Sequence, residues 1–234
     1  MKTQKKLENF FTRNDSLYIF GGGLLAAALI CVWLAYAYFA YILYIFGSIA
    51  APAGLVMFIL GSVGQVAPED IDKAVSDKLW EYDKELLENV RLAKRMLKHL
   101  KPASIAHYDY EGKDLKSKKC KDGWRTSQYT AVKIFFLADA LKFVRKTVSV
   151  LYDDDEHNIT EVAEYQYSEL AGAEILRDTV TLKSLKNSYQ VRRARLKLTA
   201  KDGRTLLLVQ VSDDIDSDTL ADNINRLIAG GLSG

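Results

Sequence analysis

The sequence predicts an α+β protein: a two-helix transmembrane hairpin, then a long amphipathic helix, then a seven-stranded β-sandwich or barrel closed by a C-terminal helix. Three observations predict it. The 52 residues from Ser16 to Ala67 contain no Asp, Glu, Lys, Arg or His. Apolar residues then recur at a helical period as far as Pro102, and beyond Pro102 short alternating runs separated by polar turns read as strands. The expected divisions are a cytoplasmic N-terminal segment (1–16), the hairpin (17–66), a stalk helix (68–101) and a cytoplasmic β-domain (103–234).

A membrane-crossing helix needs about 20 apolar residues, so the uncharged run is long enough for two spans. Its middle holds Trp33, Tyr36, Tyr38, Phe39, Tyr41 and Tyr44. Tyr and Trp favour the membrane interface, where the ring is buried and its polar tip stays wet, which places the turn near 37–40. A rival turn around Pro52 would leave one span too long and the other too short. Lys2, Lys5, Lys6 and Arg13 precede the run, Lys73, Lys78 and Lys84 follow it, and the turn carries no charge. The positive-inside rule then puts both termini in the cytoplasm of a multi-pass protein of the plasma (inner) membrane. A cleaved signal has an apolar region of only about 7–15 residues, so the run is read as a retained anchor.

Small residues recur four apart at Gly22/Ala26, Gly23/Ala27 and Ala50/Gly54. Such spacing lets helices approach closely, and the expectation is that the spans pack on each other, with homo-oligomer contacts as the alternative. Cys31 and Cys120 are read as lone thiols, consistent with a reducing compartment for the β-domain.

Pro68 followed by Glu69 and Asp70 starts a helix, proline and acids both suiting a first turn. Its stripe is Ile71, Val75, Leu79, Tyr82, Leu86, Val90, Ala93, Leu97 and Leu100, advancing 29 positions in eight steps. That is about 3.6 residues per turn, a straight stripe and not the 3.5 of a left-handed coiled coil. Strands are expected over 128–137, 142–151, 160–167, 170–176, 179–185, 189–198 and 206–211. Asp202-Gly203 predicts a type I′ hairpin turn. The closing helix is expected to be capped by Asp216 and stapled by Ile215 and Leu220. Its apolar face would be Leu220, Ile224, Leu227 and Ile228, and Gly230-Gly231 would end it.

This order of elements resembles the pleckstrin-homology (PH) and GRAM-like domains, in particular the bacterial PH-like families that follow an N-terminal pair of membrane helices. The local likeness lies in Tyr165-Gln-Tyr-Ser-Glu-Leu170 with Ala173-Glu-Ile-Leu176, and in the last strand, Asp-rich turn and helix over 206–228. It covers about 125–229, and a further strand near 105–110 falls outside its seven-strand scheme. The resemblance implies a binding or assembly domain. Phosphoinositide specificity is not implied, because Lys133…Lys142-Phe-Val-Arg145 misses the K-xₙ-[KR]-x-R pattern by one spacing.

No catalytic motif assembles, and no enzyme activity, cofactor or metal is expected. His99, His107 and His157 lack metal-ligand spacing, and Asp153–Glu156 lacks the alternating ligands and glycine of a calcium loop, so it is read as a solvated turn. From Ala103 onward 20 basic residues meet 20 acidic ones, so nucleic acid is not an expected partner. The one local excess is Lys113, Lys116, Lys118, Lys119, Lys121 and Arg125, against Asp114 and Asp122, with Trp124 beside them. It is read as a weak anionic-surface contact or a solubilising loop. Arg193, Arg195 and Lys197 are read as the solvent side of a sheet. The function expected is a membrane-anchored binding or scaffold protein with a protein partner. Anionic-lipid sensing, or a subunit of a transporter or secretion machine, is the alternative.

Overall fold

The computed structural model describes residues 2–12, 16–38, 41–62, 66–87 and 100–230. It divides into two compact units, Met1–Ala67 and Pro68–Gly234.

The first unit holds α1 (Lys2–Thr12), α2 (Ser16–Tyr38) and α3 (Tyr41–Ser62). The helix α1 was not foreseen; it buries Phe10 and Phe11, whose rings meet edge to face at 5.0 Å. Both α2 and α3 are long and apolar enough to cross a membrane. Large side chains such as Leu29, Trp33, Ile42 and Phe46 point outward on them. The helix α3 runs unbroken through Pro52, so the rival turn is absent. Residues 39–40, part of the expected turn, lie outside the described residues.

The two helices meet along small residues spaced seven apart. Gly21, Ala28 and Ala35 are buried on α2, and Gly47, Gly54 and Gly61 on α3. A Cβ on Gly61 would lie 2.6 Å from the Tyr18 Cα, and one on Gly54 would lie 3.0 Å from the Leu25 backbone nitrogen. The spans pack on each other as expected, with Gly54 in the seam, but the four-residue pairing is corrected at Gly23/Ala27 and at Ala26. Gly23, Ala26 and Ala27 are exposed, and a Cβ on Gly23 would touch nothing. Seven-residue spacing keeps one seam facing the partner over several turns, which a step of four cannot do.

The second unit opens with α4 (Pro68–Leu87) and continues with β1 (Ala103–Tyr108), β2 (Ser117–Cys120), β3 (Gly123–Thr126), β4 (Gln128–Phe136), β5 (Ala140–Ser149), β6 (Ile159–Gln166), β7 (Leu170–Ser184), β8 (Asn187–Ala200), β9 (Thr205–Val211) and α5 (Ile215–Ile228). The stripe of α4 begins as expected, with Ile71 and Val75 buried and the helix packed on β5. Residues 88–99, where the stripe should continue, lie outside the described residues. By Leu100 the helix has ended. Pro102 disfavours the helical region for the residue before it, and Leu100 packs against the core of the β-domain.

The strands form two sheets, in the orders β1-β4-β5-β6 and β3-β2-β7-β8-β9. The first is antiparallel throughout; in the second, β2 joins β7 by one parallel pair, Ser117 with Ser184. The sheets do not close into a barrel: β1 lies beside β9 without pairing to it. Inward residues such as Ile134 and Phe143 from one sheet and Leu196 and Leu207 from the other form the core, which Ala221, Ile224 and Leu227 of α5 complete. The two strands expected over 170–176 and 179–185 are one, and the hairpin 117–126 is additional.

Two turn details also differ. Gly203 alone has positive φ in the β8–β9 turn, and Ala200 accepts from its N–H. The turn is thus a type I turn followed by a bulged glycine, and not type I′. The N-cap of α5 is Asp214, whose side chain accepts from the Ser217 N–H at 3.0 Å. Ile215 is exposed instead of stapled. Arg177 spans the same positions by binding Asp213 at 2.7 Å and Asp218 at 2.7 Å.

Candidate functional site

A groove of about 630 Å³ runs between α4, the strand β1 and the β2–β3 hairpin. Its floor and rim are aromatic: Tyr108, Tyr110, Trp124 and Tyr129, with Val75 and Leu79 from α4. At its centre Arg125 grips Asp72 through two bonds, Nε to Oδ1 at 2.9 Å and Nη2 to Oδ2 at 3.0 Å. The same guanidinium donates to Asp122 at 2.8 Å, and Tyr108 donates its hydroxyl to Asp72 at 2.5 Å. A planar fork matching a carboxylate in this way is specific to arginine.

The electrostatics follow from these contacts. Hydrogen bonding to Asp72 raises the Arg125 pKa further, so the cation is permanent. Burial, and then the bond to Asp72, push the Tyr108 hydroxyl well above its ordinary value. Burial also raises Tyr110 and Tyr129. The groove therefore presents aromatic surface around one guanidinium shared by two carboxylates, Asp72 and Asp122. Such a lining offers apolar and aromatic contact surface beside a polar centre with one more carboxylate than guanidinium.

The six basic residues singled out by sequence do not form one surface. Arg125 is turned into the groove with only 12% of its side chain exposed, between Asp72 and Asp122. Lys113 pairs with Glu156. Lys116 and Lys118 are half-buried. Lys119 is exposed and lies over the Tyr189 ring, 4.8 Å from its centre, and Lys121 is exposed at the hairpin turn. The segment is a paired hairpin, with Trp124 edge-on to Tyr189 at 5.5 Å. Its thiol, Cys120, is raised in pKa by burial.

Other residues weighed from sequence also find partners. Arg193 is buried, binding Asp178 at 2.5 Å and Glu111 at 2.9 Å; Arg195 reaches Asp178 at 2.6 Å, and Lys197 reaches Glu174 at 2.9 Å. This face is thus neutralised. Arg193 alternates with the core residues Ala194 and Leu196 and shares the outer face with Arg195 and Lys197, but is buried there. In the acidic turn Asp153 accepts from Lys78 of α4 at 2.5 Å, and Asp154 lies 2.6 Å from Nδ1 of the buried His157. The turn is anchored. Asp72, Tyr108 and Tyr129 carried no sequence signal of a site, because three lone residues in different elements form no motif. Among the described residues no group of three His, Cys, Asp or Glu side chains could hold a metal ion.

No family model, no curated protein and no solved structure matches this chain.

Proposed function

We propose that the chain is a membrane-anchored binding protein: α2 and α3 hold it in the plasma membrane with both termini cytoplasmic, and its β-domain offers the aromatic groove to a protein partner. The observation that carries this reading is the groove itself. It gathers Tyr108, Tyr110, Trp124 and Tyr129 around an arginine already held by two carboxylates. Tyr, Trp and Arg are the residue types on which protein interfaces concentrate their binding energy.

A PH-like domain is part of the proposal. With the β2–β3 hairpin set aside, seven strands remain, four in one sheet and three in the other, followed by a helix. On this reading β1 is the first of the seven, and the basic hairpin is an insertion after it. Fold likeness says nothing about ligand, so the site must carry the function.

The test is photo-crosslinking in cells from the full chain. A benzoylphenylalanine at Tyr110, on the groove, should give a discrete protein adduct that Trp124→Ala abolishes. The same probe at Lys201, remote in the β8–β9 turn, should give none. Equal adducts from both positions would overturn the reading. Anionic-lipid sensing is the second reading, favoured by the exposed Lys119 and Lys121.

A further inference from the structure

Two segments distant in sequence meet at one end of the five-stranded sheet. The β2–β3 hairpin turns at 121–122 and the β7–β8 hairpin at 185–186. The Ser117 hydroxyl donates to the Lys183 carbonyl at 2.6 Å, and the Lys119 N–H donates to Ser184 Oγ at 3.1 Å. Four exposed lysines are thereby grouped: Lys119 and Lys121 from one hairpin, Lys183 and Lys186 from the other. The nearby carboxylate of Asp122 is held by Arg125.

Leu185 stands at the tip, 41% exposed. Ser184 pairs with Asn187, so Leu185 and Lys186 make a two-residue turn, and Leu185 alone of the two has positive φ, at 57°. This is the pattern of a type II′ turn, whose first central position suits glycine. Leucine there strains the backbone and places apolar surface in water, and neither effect helps the fold.

We propose that this end of the domain seats on the surface of an anionic bilayer, with Leu185 entering the boundary between headgroups and acyl chains and the four lysines meeting lipid phosphates. An apolar tip within a cationic collar complements a surface that is negative outside and apolar beneath. The proposal rests on the membrane-anchored reading. The domain is covalently joined to two spans, so its encounter with the bilayer is intramolecular and a weak contact suffices. Each cation at such a surface raises the seated population about fivefold.

The experiment uses the full chain carrying Cys31→Ala, Cys120→Ala and Leu185→Cys, labelled with an environment-sensitive fluorophore. It is reconstituted into vesicles of phosphatidylcholine with or without phosphatidylserine. Emission should shift to the blue, and be quenched by nitroxide lipids, only with phosphatidylserine. The shift should vanish with Lys119→Gln, Lys121→Gln, Lys183→Gln and Lys186→Gln together, and near 1 M salt, where the screening length falls to about 3 Å. A label at Ser168→Cys should not respond. With the probe moved to Asn187→Cys, Leu185→Gly should weaken the response while keeping the turn.

Identical emission from position 185 in the two lipids overturns the proposal. So does a shift that survives the four substitutions, or one produced on phosphatidylcholine by added polyglutamate, which would assign the collar to an acidic polypeptide. Both leaflets of these vesicles contain the anionic lipid, so failure here leaves the topology reading intact. A chain that does not float with either vesicle removes the anchor and the proposal together.

Discussion

The side-chain amide of Asn225 binds both backbone groups of Ala173: its Oδ1 accepts from the Ala173 N–H at 2.8 Å, and its Nδ2 donates to the Ala173 C=O at 2.9 Å. One residue of α5 thus substitutes for a neighbouring strand along β7, next to the register shift at Leu170/Gly172. The closing helix seals the sheet by polar satisfaction as well as by its apolar face.

Asn225→Ala should therefore destabilise the β-domain by about 2 kcal/mol, because two half-buried backbone groups lose their partners. Asn225→Asp keeps the acceptor for the Ala173 N–H but turns a carboxylate oxygen toward the Ala173 C=O. It should also destabilise the domain at neutral pH and recover as the carboxyl is protonated. Hydrogen exchange at the Ala173 amide should accelerate in the Ala variant and much less in the Asp variant. Unchanged exchange in both would remove this role.

Asp109 gives a pH prediction. Burial pushes its carboxyl up to about 6, against the Thr130 hydroxyl that donates to it at 2.6 Å. An acid whose folded pKa is raised binds more protons folded than unfolded between its two values. Stability contributed by Asp109 is thus lost as pH rises from about 4 to about 6, roughly 2–3 kcal/mol in all. Asp109→Asn should be more stable than the parent at pH 7.5, with the difference vanishing near pH 4. A constant difference across that range would sink the account.

The seam between α2 and α3 can be tested by a disulfide. A Cβ on Gly47 would lie 2.9 Å from Val32 Cγ2, about the distance from a Cβ to the partner sulfur of a disulfide. Val32→Cys with Gly47→Cys, in a chain lacking Cys31, should oxidise readily. Adding Gly61→Leu should abolish the cross-link, and Gly23→Leu should leave it unchanged.

Leu185→Gly should raise the melting temperature of the β-domain, by about 1 kcal/mol in stability, since glycine relieves the positive φ. Calorimetry on the full chain in mild detergent would read it. A variant that melts below the parent would show that Leu185 supports the fold.

Topology is checked by thiol labelling in intact cells lacking the native cysteines. Single cysteines at Thr3 and Ser233 should resist an impermeant reagent, and one at Ala40 should react. Labelling of Ser233 from outside would reverse the orientation.

Local pattern made much of the fold legible. Uncharged runs of span length, the stripe at Ile71 and Val75, and alternation along 128–136 each state their structure within a few neighbouring residues. The small residues show where that stops. Both Gly23 and Gly54 sit in apolar helices, yet only Gly54 faces the partner helix, because the facing side is fixed by how two helices cross. The basic segment shows it too. Six cations within thirteen positions look alike in sequence, but pairing turns Arg125 inward to Asp72, 53 residues away, while Lys119 stays outside.

What the sequence determined by itself is whatever depends on spacing and solvent preference: two apolar helices of membrane-crossing length, the start of an amphipathic helix at Pro68, the alternating strands, and a C-terminal helix ended at a glycine of positive φ. Only the tertiary structure decided the rest. It made one strand of 170–184, inserted the 117–126 hairpin, placed Asp214 as the cap, and brought Asp72, Tyr108 and Arg125 together. The reason is physical: hydrophobic patterning is a property of neighbours along the chain, whereas a bidentate ion pair or a satisfied strand edge requires groups that only packing brings within hydrogen-bond distance.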